Sequence, residues 1–372
     1  MFVPLCKPDF NDKDTKTIEK ILKAGDVSHG KYVGIFEKDF SKLIGTNFAI
    51  SVNSCTSGLY CVSKYLKDKN NYKKKSNILV QSFTWNASVN TISLAGLTPK
   101  FLDINPLTLE VDLDEIKKKI DKNTVGIMIV HYAGRINKNI SKISNYCKRN
   151  KLHLIEDCAE TLNTSLNKKV SGSFGYGIFS FYGTKNISTF EGGMITTNDK
   201  LFYNWCKKFI AHGVDKTSKK KFPWNRDAQI PGQNFRLSNL QAAIGINQLK
   251  RSQYFKRKRQ AVADLYYQFL PKEHLILPNK LSQEQNSYQM FPILLKSSRI
   301  RNKLISYLNS KNIGASVHFD PPVHKQGAYK NIDVSLKNTE EISSKIATLP
   351  ISSMQTTSQT KFVINNIKKF FV

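Results

Sequence analysis

Acidic residues are scarce in this sequence: 28 Asp and Glu stand against 57 Lys and Arg among 372 residues, a net charge of +29. No segment approaches the roughly 20 consecutive apolar residues of a membrane span, and the opening MFVPLCKPDF lacks a signal peptide's apolar stretch. The expected compartment is therefore the cytoplasm. Paired cysteines are missing as well. Cys6, Cys55, Cys61, Cys147, Cys158 and Cys206 show no C-x-x-C or metal-finger spacing, which argues against a disulfide scaffold and a zinc module. They read as small buried hydrophobes in a reducing compartment. Internal repeats and low-complexity linkers are absent too. What is present is 40% hydrophobic, 23% charged and 11% aromatic, the composition of a folded chain rather than a disordered or collagen-like one. The length suggests two domains.

The positive charge is spread along the chain and collects only modestly, at Lys73-Lys74-Lys75, Lys117-Lys118-Lys119, Lys219-Lys220-Lys221 and Lys256-Arg257-Lys258-Arg259. No arginine-glycine repeat or aromatic RNA-binding signature accompanies these clusters, so a solvated basic surface is expected rather than a specific nucleic-acid interface. Such a surface would attract an anionic substrate. A non-catalytic nucleic-acid-binding protein is the alternative from another functional class; it requires salt-sensitive binding.

Between about residues 45 and 200, short apolar runs alternate with amphipathic stretches. The runs predict strands at Phe48–Val52, Ile78–Phe83, Lys100–Ile104, Val125–His131, Leu152–Asp157, Gly177–Tyr182 and Gly193–Thr197. Helices are expected at Ser57–Tyr65, Asn86–Leu94, Leu113–Ile120 and Ile140–Asn150. This alternation predicts an α/β fold, a mostly parallel sheet covered by helices on both faces. Ser238 then caps a long helix, Leu240 to about Leu270, which Pro271 stops. Beyond it a strand (Ser287–Leu295), a helix (Ser298–Lys311) and a packed terminal helix (Ser358–Val372) are expected. The domain boundary is placed in the long helix, giving a large α/β domain at 1–250 and a small α+β domain at 251–372.

Some patterns are decoys. Gly172, Gly175 and Gly177 have dinucleotide-like spacing without a strand-to-helix context, and read as a turn. His318, Asp320 and His324 are metal ligands by type only, and no metal is expected. Four other segments belong together. Leu152-His-Leu-Ile-Glu-Asp157-Cys-Ala-Glu160 is an apolar strand ending on carboxylates, where an open α/β sheet places its ligands. Asp157 there could be a helix cap, a metal ligand, or the acid that keeps a pyridine nitrogen protonated. The last role needs a lysine Schiff base across the site, and Ser180-Phe-Tyr-Gly-Thr-Lys185 offers the lysine. Asn53-Ser-Cys-Thr56-Ser57-Gly puts hydroxyls before a helix, where free N–H groups favour a phosphate. Ser82-Phe-Thr-Trp85 puts a large aromatic just after a strand, where it could stack on a ring.

Together with Val27-Ser-His-Gly-Lys-Tyr-Val, SGSFGYGIFSFYGTKNISTFEGGMITTND, Gln233-Asn234-Phe-Arg236-Leu-Ser-Asn-Leu-Gln-Ala-Ala and Ala315-Ser-Val-His318-Phe, these segments resemble the DegT/DnrJ/EryC1/StrS family over most of the chain. The resemblance implies a pyridoxal-5'-phosphate-dependent nucleotide-sugar aminotransferase of fold type I. By the same resemblance, Lys185 carries the cofactor and moves protons, Asp157 holds the pyridinium proton, and Trp85 stacks on the ring. Thr56, Ser57 and Ser180 bind the phosphate, Asn234 reaches it from a neighbouring subunit of a homodimer, and Glu160 lies near the ring hydroxyl. Tyr182, His324 and Arg236 are the implied substrate-binding residues. The expected reaction converts a nucleotide-linked 4-keto-6-deoxysugar to its 4-amino sugar with L-glutamate as donor, for a surface polysaccharide; a 3-keto sugar is the alternative. Two positions depart from the family pattern: Glu160, where Gln or His is usual, tilts the substrate toward a GDP-linked sugar, and Phe190 replaces a Gly before Glu191-Gly192-Gly193. Lys185 itself sets the chain apart from dehydratases that carry histidine there.

Overall fold

Seven short apolar strands assemble the main sheet of the computed structural model, which describes residues 1–69, 72, 73, 75–215, 222, 224, 225 and 227–372. Lys74 and the Lys219–Lys221 cluster lie outside the described residues. In chain order the strands are β1 (Phe48–Val52), β2 (Asn77–Gln81), β3 (Thr98–Leu102), β4 (Thr124–Val130), β5 (His153–Cys158), a small hairpin of β6 (Ser165–Leu166) and β7 (Lys169–Val170), β8 (Tyr176–Ser180) and β9 (Gly193–Thr197). The sheet order is β1-β9-β8-β5-β4-β2-β3, and β9 alone runs against its neighbours. This is the mostly parallel sheet that the strand–helix alternation predicts.

The flanking helices are α1 (Asp12–Ala24), α2 (Lys31–Ile44), α3 (Cys55–Lys69), α4 (Asn86–Leu94), α5 (Leu113–Lys119), α6 (Ile140–Arg149) and α7 (Lys200–Phe209). Period-two alternation sorts the strand side chains between two faces. Ile78, Val80, Met128, Ile155 and Ile178 meet α3, α4 and α7, whereas Leu79, Ile127, Ile129 and Leu154 meet α5 and α6. Phe36 and Phe40 of α2 pack on Phe179 and Phe181 at centroid distances of 4.9–5.6 Å. Each such buried ring contributes about 1.5–3 kcal/mol, which ties α2 to the sheet.

Two expected strands and one helix form with the expected ends: Phe48–Val52, Gly193–Thr197 and Asn86–Leu94. The other strands of this sheet shift by one or two residues at their ends. Helices α1 and α2 lie ahead of the alternating region; Asn11 and Asp14 form a reciprocal capping box at the start of α1.

The long helix is α8 (Asn239–Phe269), capped by Ser238 in a box with Gln241. Its first half joins α2 and the main sheet through Ala242 and Ile246, and its second half joins a three-stranded antiparallel sheet through Val262, Ala263 and Tyr266. That sheet comprises β10 (Leu275–Ile276), β11 (Phe291–Leu295) and β12 (Ile346–Leu349), covered by α9 (Ser298–Ser310) and α11 (Thr357–Phe371), with α10 (Lys337–Lys345) leading into β12. The expected strand Ser287–Leu295 is shorter than the sequence suggests. Tyr288 adopts φ 51°, a left-handed backbone that ends the extended run, and β11 begins only at Phe291. Phe190 also takes a left-handed backbone, φ 70°, the geometry glycine would accept more readily, and its ring packs on Phe10 at 5.2 Å.

Candidate active site

The carboxyl ends of the parallel strands surround a cavity of about 600 Å³. Val130 ends β4, Asp157 is near the end of β5, Ser180 ends β8, and Cys55 and Thr56 open α3 just after β1. The opposed strand β9 contributes at its start, through Gly192 and the turn before it. Lys185 sits in the turn after β8 and reaches the same cavity, its N–H donating to the Tyr182 carbonyl at 2.9 Å. The turn is held from outside: Asn186 donates to the Glu160 carbonyl at 3.0 Å, and Gln289 donates to the Thr184 carbonyl at 2.6 Å.

Two buried carboxylates face this lysine. Asp157 Oδ2 accepts from the Ser88 hydroxyl at 2.7 Å and Oδ1 from the Ala159 N–H at 3.0 Å. Burial raises its pKa above the ordinary value, while those two donors and the charge of Lys185 pull the other way. Glu160 Oε2 accepts from the Ala133 N–H at 2.6 Å. Burial raises its pKa too; the Lys185 charge and the Ala133 N–H oppose the rise, and Asp157 adds to it. Burial pushes the Cys55 thiol well up, with a further push from Asp157, so it is a neutral thiol in the wall. His318 goes down to about 4 through burial and then the Lys185 charge, leaving an uncharged ring whose Nδ1 lies 3.0 Å from the Thr348 hydroxyl.

The raised Glu160 value has a sign that can be tested. The unfolded chain, near the ordinary 4.5, releases this proton before the folded chain does, so stability falls as pH rises from 4.5 through the folded value. Glu160→Gln removes that loss. Its cofactor-free melting temperature should exceed the parent's by a few degrees at pH 8. The difference should close as pH falls to 4.5; a gap independent of pH would show that the carboxyl titrates alike in the folded and unfolded chain and that burial does not raise it.

At the start of α3, the Ser54 hydroxyl accepts from the Ser57 N–H at 3.1 Å and caps the helix. Cys55 and Thr56, the first residues of α3, line the cavity at the positive end of the helix dipole. Gly193 makes this approach possible, since a Cβ there would fall 2.7 Å from the Cys55 nitrogen. Trp85, 62% exposed, precedes α4 at the cavity edge and leans on Phe319 at 6.1 Å. A buried acid, a lysine, a helix N-terminus and an accessible indole in one cavity fit pyridoxal phosphate.

The structure thus brings Thr56, Trp85, Asp157, Glu160, Ser180, Tyr182 and Lys185 to one wall, and four expected residues elsewhere. Ser57 is turned inward, its hydroxyl donating to Asn53 Oδ1 at 2.7 Å, so Ser54 and Cys55 take its place on the wall. His324 is buried away from the cavity, with Nδ1 2.7 Å from the Ser82 hydroxyl and Nε2 3.1 Å from Glu340. His318 occupies the wall instead. Arg236 pairs with Val52 through the backbone, and exposed Asn234 pairs with Ala211; neither lines this chain's cavity. The sequence reading also missed Ser88, the partner of Asp157. A hydroxyl three residues after Trp85 on a helix facing the sheet was the available signal.

Away from the cavity, among the described residues, His131, Glu156 and Cys158 bring possible ligand atoms together. The Asn137 N–H donates to His131 Nδ1, so Nε2 carries the proton it gives to Glu156 at 3.1 Å. Glu156 also accepts from the N–H groups of Gly172, Phe174 and Gly175. Both side chains are already engaged, and they hold the turn before β8 in place.

The profile of the DegT/DnrJ/EryC1/StrS aminotransferase family matches residues 8–368. The chain belongs to that family. Its members depend on pyridoxal phosphate, for which the cavity's lysine, acid and helix N-terminus are suited. Among its relatives, the aminotransferase is 30% identical to the GDP-perosamine synthase of Vibrio cholerae, over 99% of each chain. It is also 30% identical to the spore coat polysaccharide biosynthesis protein SpsC of Bacillus subtilis, covering 89% of this chain and 88% of that one. Among solved structures it is similar to Helicobacter pylori PseC, an aminotransferase involved in the biosynthesis of pseudoaminic acid. That likeness has a TM-score of 0.93 and 25% identity, and covers 100% of this chain and 99% of the other. No helix of the aminotransferase among the described residues is long and apolar enough to cross a membrane.

Proposed function

We propose that this aminotransferase moves the amino group of L-glutamate to the keto group of a nucleotide-linked 4-keto-6-deoxysugar, in the making of a surface polysaccharide. The observation that carries the reading is the meeting of Lys185, Asp157 and the start of α3 in one cavity. The relatives named for perosamine synthesis and spore coat polysaccharide support a sugar as the amino acceptor. Glu160 favours a GDP-linked sugar.

Bound pyridoxal phosphate supplies an electron sink for the carbon that exchanges its proton. Asp157, held by Ser88 and Ala159, is placed to keep a proton on the ring nitrogen. Lys185 Nζ anchors the cofactor and, when released, takes and returns the proton at the reacting carbon. The start of α3 at Cys55 and Thr56 and the Ser180 hydroxyl would hold the phosphate, and Trp85 at the cavity edge would cover the ring. Tyr182, half exposed at the mouth, meets the sugar nucleotide. Asn234 is exposed on the surface and, in a homodimer, would reach the neighbouring cavity. The basic surface favours encounter with a diphosphate. Six free cysteines support a cytoplasmic setting.

The test is the visible spectrum of the cofactor-loaded protein before and after L-glutamate, followed by product analysis with 4-keto and 3-keto sugar nucleotides. A band that fades with glutamate and amino-sugar formation from a 4-keto substrate are the expected results. Exclusive conversion of a 3-keto sugar would overturn the positional assignment.

A further inference from the structure

Helices α9 and α11 touch one another on the face of the three-stranded sheet that is turned away from the main sheet. Their apolar stripes, Leu304 and Leu308 on α9 and Val363, Ile364 and Ile367 on α11, are buried against it, leaving the polar sides to solvent. Those sides carry charge of one sign. Neither helix contains an Asp or Glu, and none occurs from 285 to 319 or from 342 to 372, stretches in which the chain's average of 28 among 372 would place several. Lys296, Arg299, Lys303 and Lys311 stand in or beside α9, and Lys361, Lys368 and Lys369 on α11, all exposed. Among the described residues none of these seven cations forms an ion pair. Nearby carboxylates are matched already: Asp264 to Lys280, Asp320 to Arg301 and Glu341 to Lys345, while Glu273 lies 3.8 Å from His274. Arg299 and Lys303 are four residues apart, about 6 Å along the helix and inside the Debye length of about 8 Å, so they act on a partner together. At one end of this face sits a half-buried aromatic cluster. Tyr307 meets Phe370 at 5.5 Å, Phe370 meets Phe371 at 5.0 Å, and Lys311 Nζ lies 5.5 Å from the Tyr307 ring.

We propose that the outer face of α9 and α11 adsorbs to an anionic lipid bilayer, its lysines over the headgroups and its ring cluster at the headgroup boundary. Seven unmatched cations and no carboxylate on either helix complement such a surface, and each cation near it strengthens the attraction. Neither helix inserts, because the apolar side an inserting helix needs is already held by the sheet, so the adsorption is electrostatic and reversible. Nucleic acid suits this face less well. Both helices lie flat on their sheet rather than projecting into a groove, and the rings are half-buried rather than open for bases to stack on.

The cofactor-loaded protein is sedimented with vesicles of two-thirds phosphatidylcholine and one-third phosphatidylglycerol, and with vesicles of phosphatidylcholine alone. Binding to the first and not the second is expected, weakening as salt rises. The triple variant Lys303→Gln, Lys368→Gln and Lys369→Gln should lower the partition coefficient roughly 100-fold, about fivefold for each cation removed. A control triple, Lys16→Gln, Lys38→Gln and Lys42→Gln on α1 and α2, removes the same charge from exposed positions elsewhere and should stay within about threefold of the parent. All six side chains are exposed, so circular dichroism should match the parent. Should the first triple fail to fold, Lys296→Gln, Arg299→Gln and Lys361→Gln take its place. A parent that ignores the anionic vesicles would overturn the proposal. Equal weakening in the two triples would overturn it too, by showing that net charge alone acts. Tighter binding of duplex DNA than of vesicles, lost with the same three lysines, would assign the face to nucleic acid instead.

Discussion

Replacing Lys185 by alanine is expected to lower kcat/KM by roughly 10²–10⁴-fold through lost proton transfer alone, and further through lost anchoring of the cofactor. The fold should survive, because the turn is held by main-chain and neighbouring bonds that alanine retains: Lys185 N–H to Tyr182, Asn186 to Glu160 and Gln289 to Thr184. The same change carries a second signature. The Lys185 charge helps hold His318 at about 4, so removing it should let the imidazole titrate at a higher pH. Kinetics and an NMR titration of His318 check the two halves. An unmoved histidine would place Nζ too far away to act in this cavity.

Asp157→Asn should lower kcat by about 10²–10³-fold, the range for losing one preorganised electrostatic contact, with little loss of folding. Asparagine keeps the size; its carbonyl oxygen can accept from the Ala159 N–H while its NH2 donates to the Ser88 hydroxyl, which can accept as well as donate, so packing is conserved while the negative charge is lost. Stability should move in the opposite direction from activity. Burial raises the Asp157 value, so ionisation costs the folded state stability as pH climbs from the ordinary 3.8 through the folded value. The cofactor-free asparagine variant should therefore melt at or above the parent temperature at pH 8. A variant that melts lower and keeps full activity would assign Asp157 to the scaffold. Melting curves against pH, set beside steady-state rates, separate the outcomes.

The strands and the order of chemistry along the chain were legible because each apolar run is bounded by residues that stop it. Asn53 follows Phe48–Val52 and Gly192 precedes Gly193–Thr197, and both strands form with those ends. Ser238 announced α8 through its own side chain and that of Gln241, a wholly local signal. What could not be read depends on partners distant in the chain. His318 and His324 lie six residues apart in one segment, yet Ser82 draws His324 inward and Thr348 accompanies His318 at the cavity. Ser54 and Ser57 differ by less than one helical turn, and only the packed start of α3 decides which faces the cavity. Gln289 was hidden within an apparent strand because nothing in the sequence foretells the left-handed Tyr288 beside it. The left-handed Phe190 is the converse case: the departure from glycine is visible in the sequence, and its ring contact with Phe10 is visible only in the fold.

Strand β5 carries Glu156 and Asp157 as neighbours, and the pleat sends them to opposite sides of the sheet. Glu156 gathers His131 and the turn before β8, while Asp157 addresses the cavity. One carboxylate holds the architecture and the other lines the cavity where the chemistry is proposed, separated by a single peptide. A slip of β5 by one residue against β4, where Glu156 now faces Ile129 and Asp157 faces Val130, would exchange their duties and leave both undone. Folding accuracy at this strand is thus itself a proofreading step for the enzyme, since a chain that pairs here incorrectly loses its turn and its acid together.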